Sequence, residues 1–257
     1  MKRIHANVYV WLLLLGCTRP APTTAPELAA SVVTEPRQDP DGLRYVEHLT
    51  GGAQSDEVLP MVVAVHGLGD RPENFVGIFD GWKYKARVIL PAGPTPWGKG
   101  HAWMTVRTAE DGRIHELAQQ TLASADRIAL LLKDLRATRP TKGKPVVTGF
   151  SQGAMLSYTL AAHHGTHIQA AIPVSGFLPR PLYRDSGTTM APVRALHGEA
   201  DEILSVQLAQ DTIRHLKDNG GDATLTTYPD VKHSISRLMR ADWFRRLEEI
   251  TASEAGP

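Results

Sequence analysis

The chain has 257 residues, 42% of them hydrophobic and 21% charged, an ordinary globular composition with length for one full core or two small ones. Its 28 basic and 27 acidic residues are interspersed and leave a formal charge of +1. That excludes the basic stripe of a nucleic-acid-binding protein, so no nucleic acid is expected as a partner. Local runs such as "RLMRADWFRRLEE" read as solvated faces.

The amino terminus opens with "MKR" and then "VYVWLLLLG", an apolar run too short to span a bilayer as a helix. The pair reads as a secretory signal. The run ends in Leu-Leu-Gly-Cys, and Cys17 is the single cysteine of the chain, which in an exported protein needs an explanation. One reading puts cleavage further on, near "PELAA", and discards Cys17. In the other, "LLGC" resembles the lipobox of bacterial lipoproteins. That resemblance implies removal of residues 1–16, a lipid thioether on Cys17 and an acylated new amino terminus, hence a lipid-anchored location in the bacterial cell envelope, with outer membrane or periplasm favoured. Several acyl chains anchor stably where one is marginal. Residues 17–42, rich in proline, alanine and threonine, read as a flexible tether. The folded domain is expected over 43–257.

Within it, "LRYVEHLT" is a first strand. Val62–Val65 form a continuous apolar run between Pro60 and Gly67, which fits a strand buried on both faces, and "ARVILPAG" repeats that logic. "HELAQQTLASADRIALLLKDLRA" has apolar residues at helical spacing and stops before Pro140. "PVVTGF" is a further buried strand and "QGAMLSYTLAAHHG" a helix. Next come strands "IQAAIPVSG" and "APVRALHG", helix "EILSVQLAQDTIRHLKDNGG", strand "ATLTTYP" and the amphipathic helix "SISRLMRADWFRRLEEI". Alternating strands and helices, without an internal repeat or second linker, predict one α/β domain with a mostly parallel sheet covered on both faces. In such sheets the working site lies at the carboxyl ends of the strands.

The residues that could carry chemistry all follow strands. Ser151 sits between Gly149 and Gly153 where a strand turns into a helix, the context of a strained nucleophile corner. A serine hydroxyl needs a base, an acid to orient that base, and donors for an oxyanion. His233 lies between the last strand and the last helix and is the candidate base. Asp201, with Glu199 in reserve, follows a strand in "HGEADEI"; these carboxylates could instead cap the next helix. The backbone N–H groups of Leu68, in the turn "HGLGD", and of Gln152 are candidate oxyanion donors. His66 reads as structural because it precedes that turn. His163, His164 and His167 cluster at a helix end without a cysteine or carboxylate beside them, so no metal site is assigned.

The segments "HGLGD", "GFSQGA", "SGFLP", "HGEADEI" and His233-Ser234 occur in the order and spacing of the phospholipase/carboxylesterase family of α/β-hydrolases, which includes acyl-protein thioesterases and small bacterial carboxylesterases. The chain resembles that family over about residues 58–247. The resemblance implies the α/β-hydrolase fold, a Ser151–Asp201–His233 triad, an oxyanion hole from Leu68 and Gln152, and no cofactor or metal. "HAWM" is similar to a family tryptophan segment, which implies that Trp103 lines the acyl or alcohol site; a core tryptophan is the equal alternative. Where the family often has proline after the acid this chain has Ser205, and Lys232 replaces the glycine before the base. Both departures bear on substrate rather than on chemistry.

The expected reaction is cleavage of carboxylic esters, of small-molecule or lipid origin, through an acyl-enzyme. Short to medium acyl esters are favoured, with lysophospholipid or acetylated polysaccharide as candidates. The segment "GFLPRPLYRDSGTTMAP", residues 176–192, is expected to form part of a rim or small lid, with 179–192 left open as the lid itself. The rivals are a peptidase or polymer depolymerase on the same fold, and a non-catalytic lipoprotein that binds an envelope ligand. Oligomeric state is left open.

Overall fold

A computed structural model describes residues 36–106 and 112–253, which fall within one unit, Ser31–Pro257. The expected signal peptide, Cys17 and the tether as far as residue 35 lie outside the described residues. The tether's last residues do not: β1 (Arg37–Gln38) pairs antiparallel with β2 (Arg44–Leu49). Asp39 closes that turn by accepting the Leu43 N–H on Oδ1 at 2.6 Å. The ordered domain therefore reaches back before residue 43.

Eight strands form one sheet in the order β1-β2-β4-β3-β7-β8-β9-β10. β3 (Leu59–Val65), β4 (Arg87–Pro91), β7 (Thr141–Phe150), β8 (Ala170–Val174), β9 (Val193–Gly198) and β10 (Ala223–Tyr228) run parallel, and β2 runs antiparallel to β4. This is a single-domain α/β-hydrolase sheet. Alternate residues of each strand feed opposite layers. Met61, Val63 and Val65 pack with Leu117, Ile128 and Leu135 of α2 (Ile114–Thr138), Leu156 of α3 (Gln152–His163) and Ile213 of α4 (Val206–Asp218). Val62, Ala64 and Val88 pack on the other face with Phe75 of α1 (Pro72–Phe75) and with Trp243 and Leu247 of α5 (Arg237–Ala252). Every residue of β3, β4 and β8 is buried, and long apolar runs are the consequence.

Two segments depart from expectation. A hairpin of β5 (Thr95–Trp97) and β6 (Gly100–Ala102) interrupts the chain before α2. Residues 179–192 are not a lid. They run from the carboxyl end of β8 down to the start of β9, in the place a crossover helix would take. The His163 ring, at the far end of α3 from Ser151, donates to the Leu182 carbonyl at 3.0 Å. His215 does the same for Arg184 at 3.1 Å, and the Ala191 N–H reaches the Ala161 carbonyl at 3.0 Å. These bonds pin the segment along the helical layer, away from the strand ends. Among the described residues, no helix is long and apolar enough to cross a membrane.

Candidate active site

β7 ends at Phe150 and α3 begins at Gln152, so Ser151 must make the whole turn. It does so at φ 57° and ψ −114°, a region L-residues enter only under strain. The corner closes because Gly149 and Gly153 have no side chains. A Cβ on Gly149 would lie 2.6 Å from the Val65 carbonyl oxygen and from the Gly153 backbone, and one on Gly153 would run into the Val65 carbonyl.

The corner delivers Ser151 Oγ to 2.9 Å from His233 Nε2, and His233 Nδ1 lies 2.7 Å from Asp201 Oδ2. Asp201 is 6% exposed. Burial by itself would raise its pKa, but hydrogen bonds from His197, His233 and the Leu204 N–H outweigh that and hold the carboxyl well below the usual carboxylate range. An ionised carboxylate only accepts, so His233 Nδ1 donates to it. That leaves Nε2 bare to accept the Ser151 O–H. The Phe150 ring, 4.8 Å from the imidazole between centroids, covers one side of the base. Glu199, the reserve acid, is turned away and accepts from Thr227 Oγ1 at 2.6 Å.

No backbone acceptor among the described residues meets the N–H of Leu68 or of Gln152. The Leu68 donor has a specific support. The Gly93 N–H donates to His66 Nε2 at 3.0 Å, so the proton sits on Nδ1 and is given to the Gly67 carbonyl at 2.7 Å. A trans peptide points its C=O and N–H in opposite directions. Fixing the Gly67 carbonyl therefore aims the Leu68 N–H the other way. Burial holds the His66 ring below the usual histidine pKa.

Beside Ser151 opens a cleft of about 280 Å³ lined by Leu68, Met104, Val106, Leu117, Met155 and the Ile203–Leu204 pair, together with Gln152. Among the described residues, no ionisable side chain lines it. Trp103 is not brought into this cleft. It is 3% exposed, belongs to the α2–α3 core layer and borders a separate hollow with Pro94 and Arg127. The histidines at the end of α3 are occupied with protein groups: His163 with Leu182, and His164 with Asp126 Oδ1 at 2.8 Å.

Two side-chain roles were missed by sequence reasoning, which had singled out Gln152 only for its backbone N–H. The Gln152 side chain accepts the Trp103 N–H at 2.9 Å and donates to the Met104 carbonyl at 2.7 Å, so it fixes the segment whose Met104 lines the cleft. Its place directly after the serine was the available signal. His197, against Asp201, is one of 11 histidines, and only its place at the end of β9 sets it apart.

The model of the phospholipase/carboxylesterase family matches residues 52–244. The chain belongs to that family. It is an ester-hydrolysing serine hydrolase, similar to acyl-protein thioesterase 1 of Neurospora crassa (26% identical, over 75% of this chain and 83% of that one). Acyl-protein thioesterase 1 homolog 1 of Dictyostelium discoideum is also 26% identical, over 68% and 83%. Among solved structures, esterase PE8 superposes with a TM-score of 0.69 at 23% identity, covering 79% of this chain and 99% of that one. Acyl-protein thioesterase 2 of Zea mays gives 0.63 at 21%, covering 80% and 98%. At those identities the structures speak to the fold alone.

Proposed function

We propose that this family member hydrolyses carboxylic esters of short to medium acyl length through an acyl-enzyme on Ser151, with His233 as base and Asp201 as its orienting acid. The observation that carries the reading is the unbroken run of hydrogen bonds from Ser151 Oγ through His233 to Asp201. His233 takes the Ser151 proton as Oγ attacks the carbonyl, and Asp201 stabilises the imidazolium that forms. The Leu68 and Gln152 N–H groups receive the oxyanion. His233 then returns the proton to the leaving alcohol and activates the water that frees the acid.

The cleft supports the acyl range. At about 280 Å³ it lies at the small end of ligand pockets, and its apolar lining suits an uncharged acyl group. Small esters, lysophospholipids and acetylated polysaccharides are the candidate natural substrates, and the acyl-protein thioester for which the relatives are named belongs in the same panel. We propose further that Cys17 carries a lipid after removal of residues 1–16, so that the domain works from an envelope membrane. Loss of labelled palmitate from a Cys17→Ala variant would support this; equal labelling would overturn it.

The first test is p-nitrophenyl butyrate hydrolysis by the detergent-solubilised full chain and by Ser151→Ala. The variant is expected to lose at least about a thousandfold in kcat. The matching anilide, assayed beside the ester, separates an esterase from a peptidase. Equal rates in the two proteins would end the Ser151 assignment.

A further inference from the structure

Asp201 faces a second imidazole besides His233. His197 closes β9 and is 1% exposed. Its Nε2 lies 2.8 Å from the Leu204 carbonyl oxygen and 3.3 Å from Asp201 Oδ2. Both are acceptors, so Nε2 carries a proton. Nδ1 is buried without a partner among the described residues, and a bare lone pair there costs less than an orphaned N–H. The ring is thereby fixed as the Nε2–H tautomer, with one proton shared between a carboxylate and a carbonyl.

The sharing matters because of what the two acceptors hold. Oδ2 of Asp201 also receives His233 Nδ1, and Oδ1 receives the N–H groups of Ile203 at 3.0 Å and Leu204 at 2.8 Å. Leu204 is therefore clamped at both ends of its backbone, by Asp201 through its N–H and by His197 through its carbonyl. Ile203 and Leu204 line the cleft beside Ser151.

We propose that His197 is a positioning residue that locks the Asp201 carboxylate and the Ile203–Leu204 wall into one unit, so that orientation of the base and fit of the acyl group are set together. This rests on the Ser151–His233–Asp201 reading above. Without the Nε2–H, the carboxylate can turn away from His233, and the Leu204 carbonyl loses its donor. Base activation then suffers with every ester. The wall also loosens, which is felt only by substrates long enough to touch it.

The test uses the full chain with His197→Leu and His197→Gln, assayed on p-nitrophenyl acetate and octanoate, with melting curves alongside. A glutamine amide reaches about as far as Nε2 and restores a donor. His197→Leu is expected to lower kcat on both esters by about 10- to 100-fold, the range for a lost bond to a charged group, and to raise KM for octanoate severalfold more than for acetate. His197→Gln is expected to recover most of both effects. If the leucine variant does not fold, His197→Asn, whose amide reaches only the Nδ1 position, takes its place. Rates within twofold of wild type, or equal impairment of the glutamine variant and the donor-deficient one in proportion to folded fraction, overturn the proposal. Labelling by a fluorophosphonate probe keeps the two readings apart. A wild type unlabelled at Ser151 brings down the triad assignment, whereas normal labelling with a flat His197 series brings down only this inference.

Discussion

Asp201 and Glu199 stand two residues apart after the same strand, and their surroundings assign them different work. Asp201 is buried and takes four donors on its two oxygens; Glu199 is exposed, and among the described residues its carboxylate bonds only Thr227. Asp201→Asn is therefore expected to lower kcat by about 10³- to 10⁴-fold, because an amide can present its NH₂ to His233 and select the wrong tautomer. Glu199→Gln should stay within about twofold in the same assay. The reverse ranking would move the acid to Glu199. The choice was only half legible in the sequence, since both carboxylates follow a strand and either could serve. The structure brings Asp201, not Glu199, to His233, and Gly198 permits it at a point where a side chain would meet the Val231 carbonyl. Its absence lets the loop carrying His233 pass directly over the end of β9, opposite Asp201. The corner at Ser151 was legible, because the same backbone crowding at Gly149 and Gly153 is written as glycines around it.

At the scale of elements, the buried strands could be read because covering both faces forces uninterrupted apolar runs, as in β3 and β4. The crossover over 179–192 could not be. Nothing in its composition distinguishes a loop over a site from a loop laid along a helix; the difference lies in distant partners, the rings of His163 and His215. The β5–β6 hairpin is too short to show alternation. The antiparallel edge holds another feature that composition conceals. Arg87 on β4 is fully buried and paired with Glu47 on β2, which also holds Arg139 at 3.2 Å and Arg37 at 3.7 Å. Replacing such a pair by apolar residues can be neutral, but removing one partner strands a buried charge. Glu47→Gln leaves the buried Arg87 guanidinium without a counter-charge, with only neutral oxygens, the new amide and the Ser55 carbonyl, to accept from it. A loss of about 3–5 kcal/mol is expected by urea unfolding, a large part of a domain's usual stability. A change below about 1 kcal/mol would show that the edge does not depend on the pair.

For the whole molecule, the two helical layers bury titratable groups whose charge the fold resists, and this gives its stability a definite pH dependence. Burial holds the rings of His48, His66 and His163 below the usual histidine pKa. Asp80 opposes this weakly at His48, and the Gly67 and Leu182 carbonyls oppose it at His66 and His163. His48 has no partner at either ring nitrogen among the described residues, and His66 needs a bare Nε2 to accept from Gly93. Below about pH 6.5 the unfolded chain binds protons at these rings that the folded chain refuses. Unfolding free energy therefore rises with pH across that range and is lost on acidification, by at most about 1.4 kcal/mol per pH unit for each ring. Asp201 acts in the same direction but later: its depressed pKa contributes stability that stays complete until the pH drops below about 4, the unfolded carboxylate value. Between pH 7.5 and 5 the slope thus belongs to the histidines. Urea midpoints are expected to fall over that interval, and His48→Leu, which removes one buried site without removing any hydrogen bond, is expected to flatten the slope by up to one proton. A wild-type midpoint constant from pH 7.5 to 5, or a His48→Leu slope equal to that of the wild type, would mean that the rings are reached by water or by partners that accept their charge.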